Sequence, residues 1–202
     1  MIQIIDNFLP DSYANHIAMK CYDLRWDYHA GTSVVTQENY KDFCLDNNTV
    51  DYGQFCFTFF SSVNDNPIEH REQFDFYMPV VYLAQEKIKD IKIVEILRAK
   101  INLITQRPDA PEYHYNIAHK DATVSNTYSM IYYINDSDGD TFLFNEFYNP
   151  AGPINNLTVA QRVTPKKNRA VIFESNRMHA SSTPRNTKER FIMNLVLKAY
   201  NE

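Results

Sequence analysis

Apolar and polar residues are ordered differently in the two halves of the chain, and the change falls near residue 100. In the first half, the stretch Leu9-Pro10-Asp11-Ser12 is typical of a helix start. Apolar residues then recur at helical spacing at Tyr13, Ile17, Cys21 and Leu24. A second helical stretch is predicted from Pro79 to Lys89. We expect such helices to pack their apolar faces against a sheet.

Strands and turns dominate the second half. Strands are predicted at residues 113–117, 128–134, 141–144, 170–173 and 190–197, in addition to earlier candidates at 2–5 and 101–105. The apolar run at residues 55–60 fits either a buried strand or a helical segment. Residues 135–140 are rich in Asn, Asp and Gly, and predict a hairpin turn. Five strands within about 90 residues predict a barrel or a sandwich.

The composition supports a mainly β fold with supporting helices. Of the 202 residues, 44% are hydrophobic, and the 14 Tyr and 13 Phe suit half-buried strands. We find no internal repeat, low-complexity tract or linker rich in Pro, Gly or Ser. We therefore predict a single domain over residues 1–202, in which residues 1–100 provide helical and strand support for a β core at residues 101–198.

Charge and cysteine content limit the classes of partner. The net charge is −5, and no run of basic residues supplies the positive surface that nucleic-acid binding needs. The three cysteines lack the paired spacing of a zinc site and the even number of a disulfide scaffold, so we expect reduced thiols at Cys21, Cys44 and Cys56. No apolar stretch approaches 18 residues, and the N-terminus has no signal-peptide pattern, so we expect no membrane association.

The triplet His119-Lys120-Asp121 carries the first indication of chemistry. Side chains on a strand alternate between its faces, so the imidazole and the carboxylate point the same way. A second histidine would complete a two-His-one-carboxylate set, which leaves positions open on Fe(II). His179 is the candidate, because it follows the apolar strand at 170–173 and a polar turn. The triplet alone is weak evidence, since such pairs arise often by chance.

Arg190 strengthens the interpretation. It lies 11 residues after His179, at the start of the strand predicted for residues 190–197. An arginine that points into an apolar barrel is costly unless an anion pairs with it, and its planar guanidinium suits a carboxylate. A dicarboxylic co-substrate would provide that anion.

These residues and their order resemble the prolyl-4-hydroxylase-like branch of the 2-oxoglutarate/Fe(II) oxygenases, particularly the small members found in marine bacteriophages. The resemblance covers about half of the chain, from Ile101 to Lys198. It rests on His119-x-Asp121, residues 131–140, His179, and Arg190 followed by a strand. It implies a double-stranded β-helix (jelly roll) with N-terminal helices packed on one sheet. It also implies Fe(II), 2-oxoglutarate and O2 as cofactors, with ascorbate as a further reductant to test.

The same resemblance assigns the co-substrate contacts. Arg190 is expected to take the far carboxylate of 2-oxoglutarate, and Tyr133 to donate a hydrogen bond to it. Strand alternation independently places Ser129, Ile131 and Tyr133 on one face, so Ser129 is a weaker candidate for the same site. Relatives place a ligand-contacting Tyr on the strand before the metal triplet. Residues 101–107 have none, and the candidate replacements are Asn102, Thr105 and Tyr115.

The remaining histidines fit structural roles better. His114 lies five residues before His119, and this odd spacing puts it on the opposite face of a continuous strand. Three others lie in the helical or irregular first half, where surface or core roles are expected: His16, His29 and His70.

Other charged residues are interpreted as parts of turns. The pattern Asp136-x-Asp138-x-Asp140 resembles the start of a calcium loop, but Phe147 stands at the twelfth position, where a bidentate Glu is required. We therefore interpret it as a turn. Solvated loop charges are expected at Arg185, Lys166 and Lys167.

We predict, from these features, a 2-oxoglutarate-dependent dioxygenase that hydroxylates a prolyl residue of a peptide or protein, in the cytoplasm, or in that of the host if it is phage-encoded. The alternatives are hydroxylation of a free amino acid or small metabolite, a non-catalytic jelly-roll binding module, and a cupin-like metalloprotein, which would not need Arg190. A nucleobase substrate is disfavoured by the lack of a basic groove. Residues 26–75 are expected to shape specificity, through Trp26, Tyr28 and Tyr40 among others. The sequence leaves the oligomeric state open.

Overall fold

A computed structural model describes residues 1–33, 46–151, 154 and 156–201 of the chain. The predictions for Tyr40 and Cys44 lie outside these residues. Cys21 and Cys56 are free and buried, as expected.

Twelve strands and three helices are found in the described residues. The helices are α1 (Asp11–Cys21), α2 (Arg71–Tyr77) and α3 (Pro79–Lys87). The strands are β1 (Ile2–Ile5), β2 (Asp27–His29), β3 (Thr49–Val50), β4 (Gln54–Ser61), β5 (Ile91–Thr105), β6 (Tyr115–Asn116), β7 (Thr127–Tyr133), β8 (Thr141–Phe147), β9 (Val159–Val163), β10 (Arg169–Glu174), β11 (Arg177–Ser181) and β12 (Glu189–Asn201). None of these helices is long and apolar enough to span a membrane; the longest, α1, has 11 residues.

The strands form a large sheet and a smaller one. The large sheet has seven strands in the order β1-β10-β7-β12-β5-β4-β2, and the smaller has the order β11-β8-β9. A further pair, β3 and β6, is parallel. The chain passes from the large sheet to the smaller one after β7 and again after β10, and it returns to the large sheet after β9 and after β11.

The three helices cover the outer face of the large sheet. Ile17 of α1 and Val80 of α3 are fully buried, in one cluster with the large-sheet residues Ile101, Tyr132 and Met193. Helix α1 begins directly after Pro10, as predicted, and has Asp11 in its first turn and Lys20 in its last, charges that suit the helix dipole. The prediction of helices packed on one sheet is confirmed.

The inner face of the large sheet looks toward the smaller sheet. A second apolar cluster joins the two sheets through Ile131, Tyr133, Leu143, Val171 and Ile192. Alternation along β7 therefore divides the strand as predicted, with Ser129, Ile131 and Tyr133 on the inner face and Met130 and Tyr132 under the helices.

Several sequence predictions need correction. Residues 135–140 do not form a hairpin turn, because β7 and β8 lie in different sheets and do not pair. The apolar segment from Ile91 and the strand predicted at 101–105 are one strand, β5, of 15 residues. Residues 55–60 belong to strand β4. Helix α2 and strands β2, β3, β9 and β11, which are short or mostly polar, are not predicted from the sequence.

Candidate metal centre and adjoining pocket

His119, Asp121 and His179 come together between the two sheets. Among the described residues they form one cluster whose ligand atoms all lie within 4.8 Å of one another. The backbones of His119 and His179 exchange two hydrogen bonds of 2.9 Å, which places strand β11 directly against the segment after β6. The backbone N–H of Asp121 donates to Ser175 O at 2.9 Å. Backbone hydrogen bonds thus fix the positions of all three residues, although strand β6 itself ends at Asn116.

The two imidazoles are oriented for metal binding. Nδ1 of His119 lies 3.0 Å from Ile117 O, and Nδ1 of His179 lies 3.0 Å from Arg177 O. A carbonyl oxygen accepts only, so Nδ1 carries the proton in each ring and Nε2 keeps a free lone pair. Nε2 of His179 is buried without a hydrogen-bond partner among the described residues, and lies 3.4 Å from Asp121 Oδ2. A buried acceptor beside a carboxylate is the environment that a bound cation would complete.

The carboxylate of Asp121 is held from several sides. Oδ1 accepts from the guanidinium of Arg98, which forms an ion pair with it. Oδ2 accepts from Ser129 Oγ at 2.7 Å and from Asn194 Nδ2 at 3.3 Å. These contacts fix the orientation of the carboxylate before any ligand arrives.

Burial and neighbouring charges keep His119 and Asp121 in the protonation states that a metal needs. Burial, and then the neighbouring His179, lower the pKa of His119 to about 3. Burial alone would raise the pKa of Asp121, but Arg98 and His179 outweigh it and hold that pKa well below its usual range. A neutral imidazole and an ionised carboxylate are both competent ligands at neutral pH. Two imidazoles and one carboxylate suit Fe(II), so the residues present fit this metal.

Arg190 lies at the other end of the pocket. It is 2% exposed, and its Nε donates to Gly139 O at 2.7 Å while Nη2 donates to Thr141 Oγ1 at 2.8 Å. Burial lowers the pKa of its guanidinium. No carboxylate pairs with it among the described residues, because the nearby Asp140 forms its ion pair with Arg162. The guanidinium therefore faces the pocket with donors to spare.

Glycine at position 139 makes room for this arginine. A Cβ built on Gly139 would lie 2.9 Å from Arg190 Cδ and 2.8 Å from Ser182 O. Contacts this short do not occur for real side chains, so the backbone approaches Arg190 as closely as it does only because the residue is glycine.

Tyr133 and Ser129 point inward but have different partners. Tyr133 is fully buried, burial raises its pKa to about 12, and its hydroxyl donates to Thr141 Oγ1 at 2.8 Å. Tyr133 and Arg190 thus meet at the same Thr141 hydroxyl. Ser129 lies at the metal end, where its hydroxyl contacts Asp121 at 2.7 Å and Ser175 at 3.0 Å.

A pocket connects the metal end with the Arg190 end. Its lining residues come from both sheets and from the segment after β2: Thr32, Gln54, Lys100, Asn102, Ile104, His119, Ile131, Thr141, His179, Ala180, Ser181, Arg190, Ile192 and Asn194. Of the three residues considered as replacements for a missing Tyr, Asn102 lines the pocket. Thr105 is exposed, and Tyr115 packs on the smaller sheet with its hydroxyl bonded to Asp46.

Sequence reasoning missed four polar residues of this region: Arg98, Lys100, Thr141 and Asn194. A signal existed, since polar residues alternate with apolar ones along Arg98-Ala99-Lys100-Ile101-Asn102. Such a pattern normally means that the polar face is in solvent. Here the helices cover the apolar face, so the polar face is the inner one.

The residues set aside as structural have structural partners. Nδ1 of His114 lies 2.6 Å from Pro111 O, and its Nε2 accepts from Thr183 N at 3.1 Å. Asp138 accepts from the backbone N–H groups of Asn186 at 2.9 Å and Thr187 at 3.0 Å. Asp138 therefore closes the loop that precedes Arg190, which is a structural role.

Residues 107–198 match the family described as the 2OG-Fe(II) oxygenase superfamily, and this range contains the three-residue cluster and Arg190. No curated protein matches the chain by sequence.

Solved structures share the fold at low identity. An oxidoreductase of the 2OG-Fe(II) oxygenase family from Burkholderia pseudomallei is 11% identical with a TM-score of 0.63, over 99% of this chain and 86% of its own. The non-heme α-ketoglutarate-dependent epimerase SnoN from nogalamycin biosynthesis is 9% identical with a TM-score of 0.63, over 100% and 80%. A prolyl hydroxylase from Trichoplax adhaerens, in complex with a hypoxia inducible factor peptide fragment, is 13% identical with a TM-score of 0.52, over 98% and 83%. The predicted double-stranded β-helix is confirmed.

Proposed function

Because residues 107–198 match the 2OG-Fe(II) oxygenase superfamily, we propose that this chain is an oxygenase of that kind and hydroxylates an aliphatic C–H bond of its substrate. Fe(II) and 2-oxoglutarate are its cofactors. When bound, they supply an oxidation in which a C–H bond and O2 yield a C–OH group, while 2-oxoglutarate becomes succinate and CO2. The observation that carries the proposal is the convergence of His119, Asp121 and His179 at one end of a pocket that has an uncompensated arginine at the other.

Different residues have different roles along the pocket. His119, Asp121 and His179 hold the metal, with Arg98 and Ser129 fixing the carboxylate of Asp121. The contacts from Arg98 and Ser129 keep the geometry of the metal ligands constant during turnover.

Arg190 and Thr141 bind the far carboxylate of 2-oxoglutarate. A guanidinium offers several donors, and two of those of Arg190 are already anchored by Gly139 and Thr141, so its position is fixed before binding. Tyr133 acts on the same carboxylate through Thr141 or directly from its buried hydroxyl. Between the two ends, Ile131 and Ile192 present apolar walls that exclude water from the reacting atoms.

A prolyl residue of a peptide or protein is the first substrate to test. It is supported by the sequence resemblance to prolyl-4-hydroxylase-like enzymes of small, bacteriophage-type size and by the shared fold of a prolyl hydroxylase. A free amino acid or small metabolite is the second candidate, and the specific observation that favours it is the cation Lys100 in the pocket wall. The epimerase among the similar structures shows why fold likeness leaves the substrate open.

Anaerobic binding of Fe(II) and 2-oxoglutarate tests the assignment of the cofactor site. The wild-type protein should develop the visible charge-transfer band of the iron–2-oxoglutarate chelate, and should release succinate when O2 is admitted with substrate. His179→Ala should lose both, because one of the three ligands is missing. His16→Ala, which changes an exposed histidine of α1, is the matched control and should behave as wild type.

Two results would contradict the proposal. Persistent succinate release in His179→Ala would mean that the metal is held elsewhere. Absence of the charge-transfer band in the folded wild-type protein would favour a jelly-roll binding module without turnover.

A further inference from the structure

Lys100 brings a second cation into the pocket, and neither the metal nor the far carboxylate of 2-oxoglutarate accounts for it. On strand β5 its neighbours Ala99 and Ile101 are buried under the helices, so alternation turns Lys100 toward the inside. It lines the pocket together with both histidines of the metal cluster. No hydrogen bond or ion pair of its ammonium is found within the described part of the chain, whereas Arg98, two residues earlier on the same face, pairs with Asp121.

The strand register places Lys100 at the metal end of the pocket. Lys100 lies opposite Asn194, and residues opposite each other in an antiparallel pair have Cβ atoms about 4.5–5.5 Å apart. Asn194 itself contacts Asp121 at 3.3 Å. Arg190 lies opposite Ile104, four residues further along β5. Four residues of strand span about 13 Å, so Lys100 and Arg190 serve different ends of the pocket.

Polar groups around Lys100 also lack partners. Asn102 donates through Nδ2 to Gln54 at 3.2 Å, but its Oδ1 is buried without a donor among the described residues, as is Oδ1 of Asn194. Buried polar atoms of native proteins are normally satisfied, and a cluster of exceptions beside a pocket is typical of a place that a ligand fills. Both unpaired atoms are acceptors, so the part of the ligand that meets them is an N–H or O–H donor beside its carboxylate.

The charges of the site do not balance when the cofactors are bound. Arg98 pairs with Asp121, and Arg190 is assigned to the far carboxylate of 2-oxoglutarate. Lys100 lines the pocket without an anion assigned to it. Burial, and then Arg98, lower the pKa of Lys100, while Cys56 and Asp121 act in the opposite direction. An uncompensated charge in such a place is costly unless an anion joins it.

We propose that Lys100 forms a carboxylate subsite for the substrate next to the metal. The substrate class is therefore a small carboxylic acid, such as a free amino acid, or a chain end that presents a free carboxylate close to the carbon to be hydroxylated. A prolyl substrate would then be free proline or a C-terminal proline. This inference rests on the proposed function, because the subsite matters only where the metal and 2-oxoglutarate bind beside it.

Relaxation of acetate protons near Mn(II) tests the subsite without knowledge of the substrate. Mn(II) replaces Fe(II) in sites of this kind and shortens the relaxation times of nearby protons. With Mn(II) and saturating 2-oxoglutarate bound, the methyl protons of acetate should relax faster in a saturable way. Those of acetamide, which has the same shape without the charge, should not.

Variants on the same strand provide the controls. Lys100→Met should weaken acetate binding about tenfold or more, since a hydrogen bond to a charged group is lost. Lys100→Arg should retain it, which separates loss of charge from loss of folding. Lys92→Met removes an exposed lysine of β5 and should leave acetate binding unchanged. L-proline and the peptide Gly-Gly-Pro, each compared with its C-terminal amide, then distinguish a free amino acid from a chain end.

Three outcomes would overturn the inference. Equal relaxation of acetate in Lys100→Met and wild type would mean that acetate binds the metal directly. A fall in 2-oxoglutarate affinity in Lys100→Met would assign Lys100 to the co-substrate. No difference between acetate and acetamide in the wild type would remove the subsite. Binding of 2-oxoglutarate to the Mn(II) protein is measured in the same samples, and its absence would reject the proposed function instead.

Discussion

Ser129 Oγ donates a hydrogen bond of 2.7 Å to Asp121 Oδ2, across eight residues of sequence and between two different segments of the fold. The same hydroxyl lies 3.0 Å from Ser175 Oγ, and Ser175 O accepts from the backbone N–H of Asp121 at 2.9 Å. Ser129 was expected from its strand face to assist 2-oxoglutarate. Its contacts favour a role in holding the carboxylate that is proposed to bind the metal.

Replacement of Ser129 by alanine should therefore weaken metal binding. Loss of a partner that orients a metal ligand costs about 10–100-fold in affinity. We expect Ser129→Ala to bind Fe(II) or Mn(II) that much more weakly, with the 2-oxoglutarate requirement at saturating metal little changed. Ser12→Ala, which changes an exposed serine of α1, is the control for titration of the metal by calorimetry. A change in the affinity for 2-oxoglutarate at full metal occupancy would mean that Ser129 contacts 2-oxoglutarate instead.

Arg190 should control the affinity for 2-oxoglutarate and not the affinity for metal. A charge-assisted contact is worth about 2–3 kcal/mol, so Arg190→Met should raise the KM for 2-oxoglutarate by about 30–150-fold. Arg190→Lys should recover part of this, because it keeps the charge but loses the planar guanidinium. The measurement is succinate release at varied 2-oxoglutarate with saturating Fe(II). An unchanged KM in Arg190→Met would place the far carboxylate elsewhere.

The shared Thr141 hydroxyl gives a way to rank the groups around this carboxylate. Tyr133→Phe removes one neutral hydrogen bond, worth about 0.5–1.5 kcal/mol, so the KM for 2-oxoglutarate should rise by no more than about tenfold. Thr141→Val should have the larger effect, because Thr141 accepts from both Tyr133 and Arg190. The opposite ranking in the same succinate assay would mean that Tyr133 contacts 2-oxoglutarate directly, as the family resemblance suggests.

Gly139 offers a test of how closely Arg190 is packed. In Gly139→Ala the new methyl group would meet Arg190 Cδ at 2.9 Å and the backbone oxygen of Ser182 at 2.8 Å, and the backbone atom cannot easily move. We expect a loss of about 1–3 kcal/mol in the free energy of unfolding and a higher KM for 2-oxoglutarate. Denaturant unfolding and succinate release measure the two effects.

Gly53→Ala is the matched control for this variant. The three atoms nearest its methyl group all belong to the side chain of Tyr28, the closest at 2.6 Å, and Tyr28 is 65% exposed. Comparable destabilisation in the two variants would mean that the loss of any glycine, and not the close contact with Arg190, explains the result.

The sequence was sufficient to single out the residues of the candidate metal cluster, because the evidence for them is local and ordered. Two residues of strand period, one distal histidine and one arginine at fixed spacing restrict the chemistry strongly. The residues that hold the carboxylate of Asp121 in place could not be predicted in the same way. Arg98 and Asn194 come from strands β5 and β12, 23 and 73 residues from Asp121, and only the sheet order brings them together.

The second limit on prediction from the sequence is which face of each strand lies inside the fold. On β12, Asn194 alternates with Met193 and Leu195, and this pattern alone predicts a solvated polar face. It becomes an inner, functional face because α1 and α3 occupy the apolar side. A pattern of alternation fixes which residues share a face, but long-range packing decides which face is inside.

Asp138 should make stability depend on pH in the acid range. Burial opposes its ionisation, but hydrogen bonds from Thr187 and Asn186 outweigh it and hold the pKa of Asp138 well below its usual range of about 3.9. A depressed folded-state pKa contributes stability that is fully present above about pH 4 and is lost as the pH falls toward the folded value. The free energy of unfolding of wild type should therefore exceed that of Asp138→Asn by a constant amount from about pH 5 to 8, and the difference should shrink below about pH 4. Asp65→Asn, in an exposed loop, is the control for denaturant unfolding across this range. A difference that grows on acidification would show that the Asp138 carboxylate is better stabilised in the unfolded chain, and would exclude its role in closing the loop before Arg190.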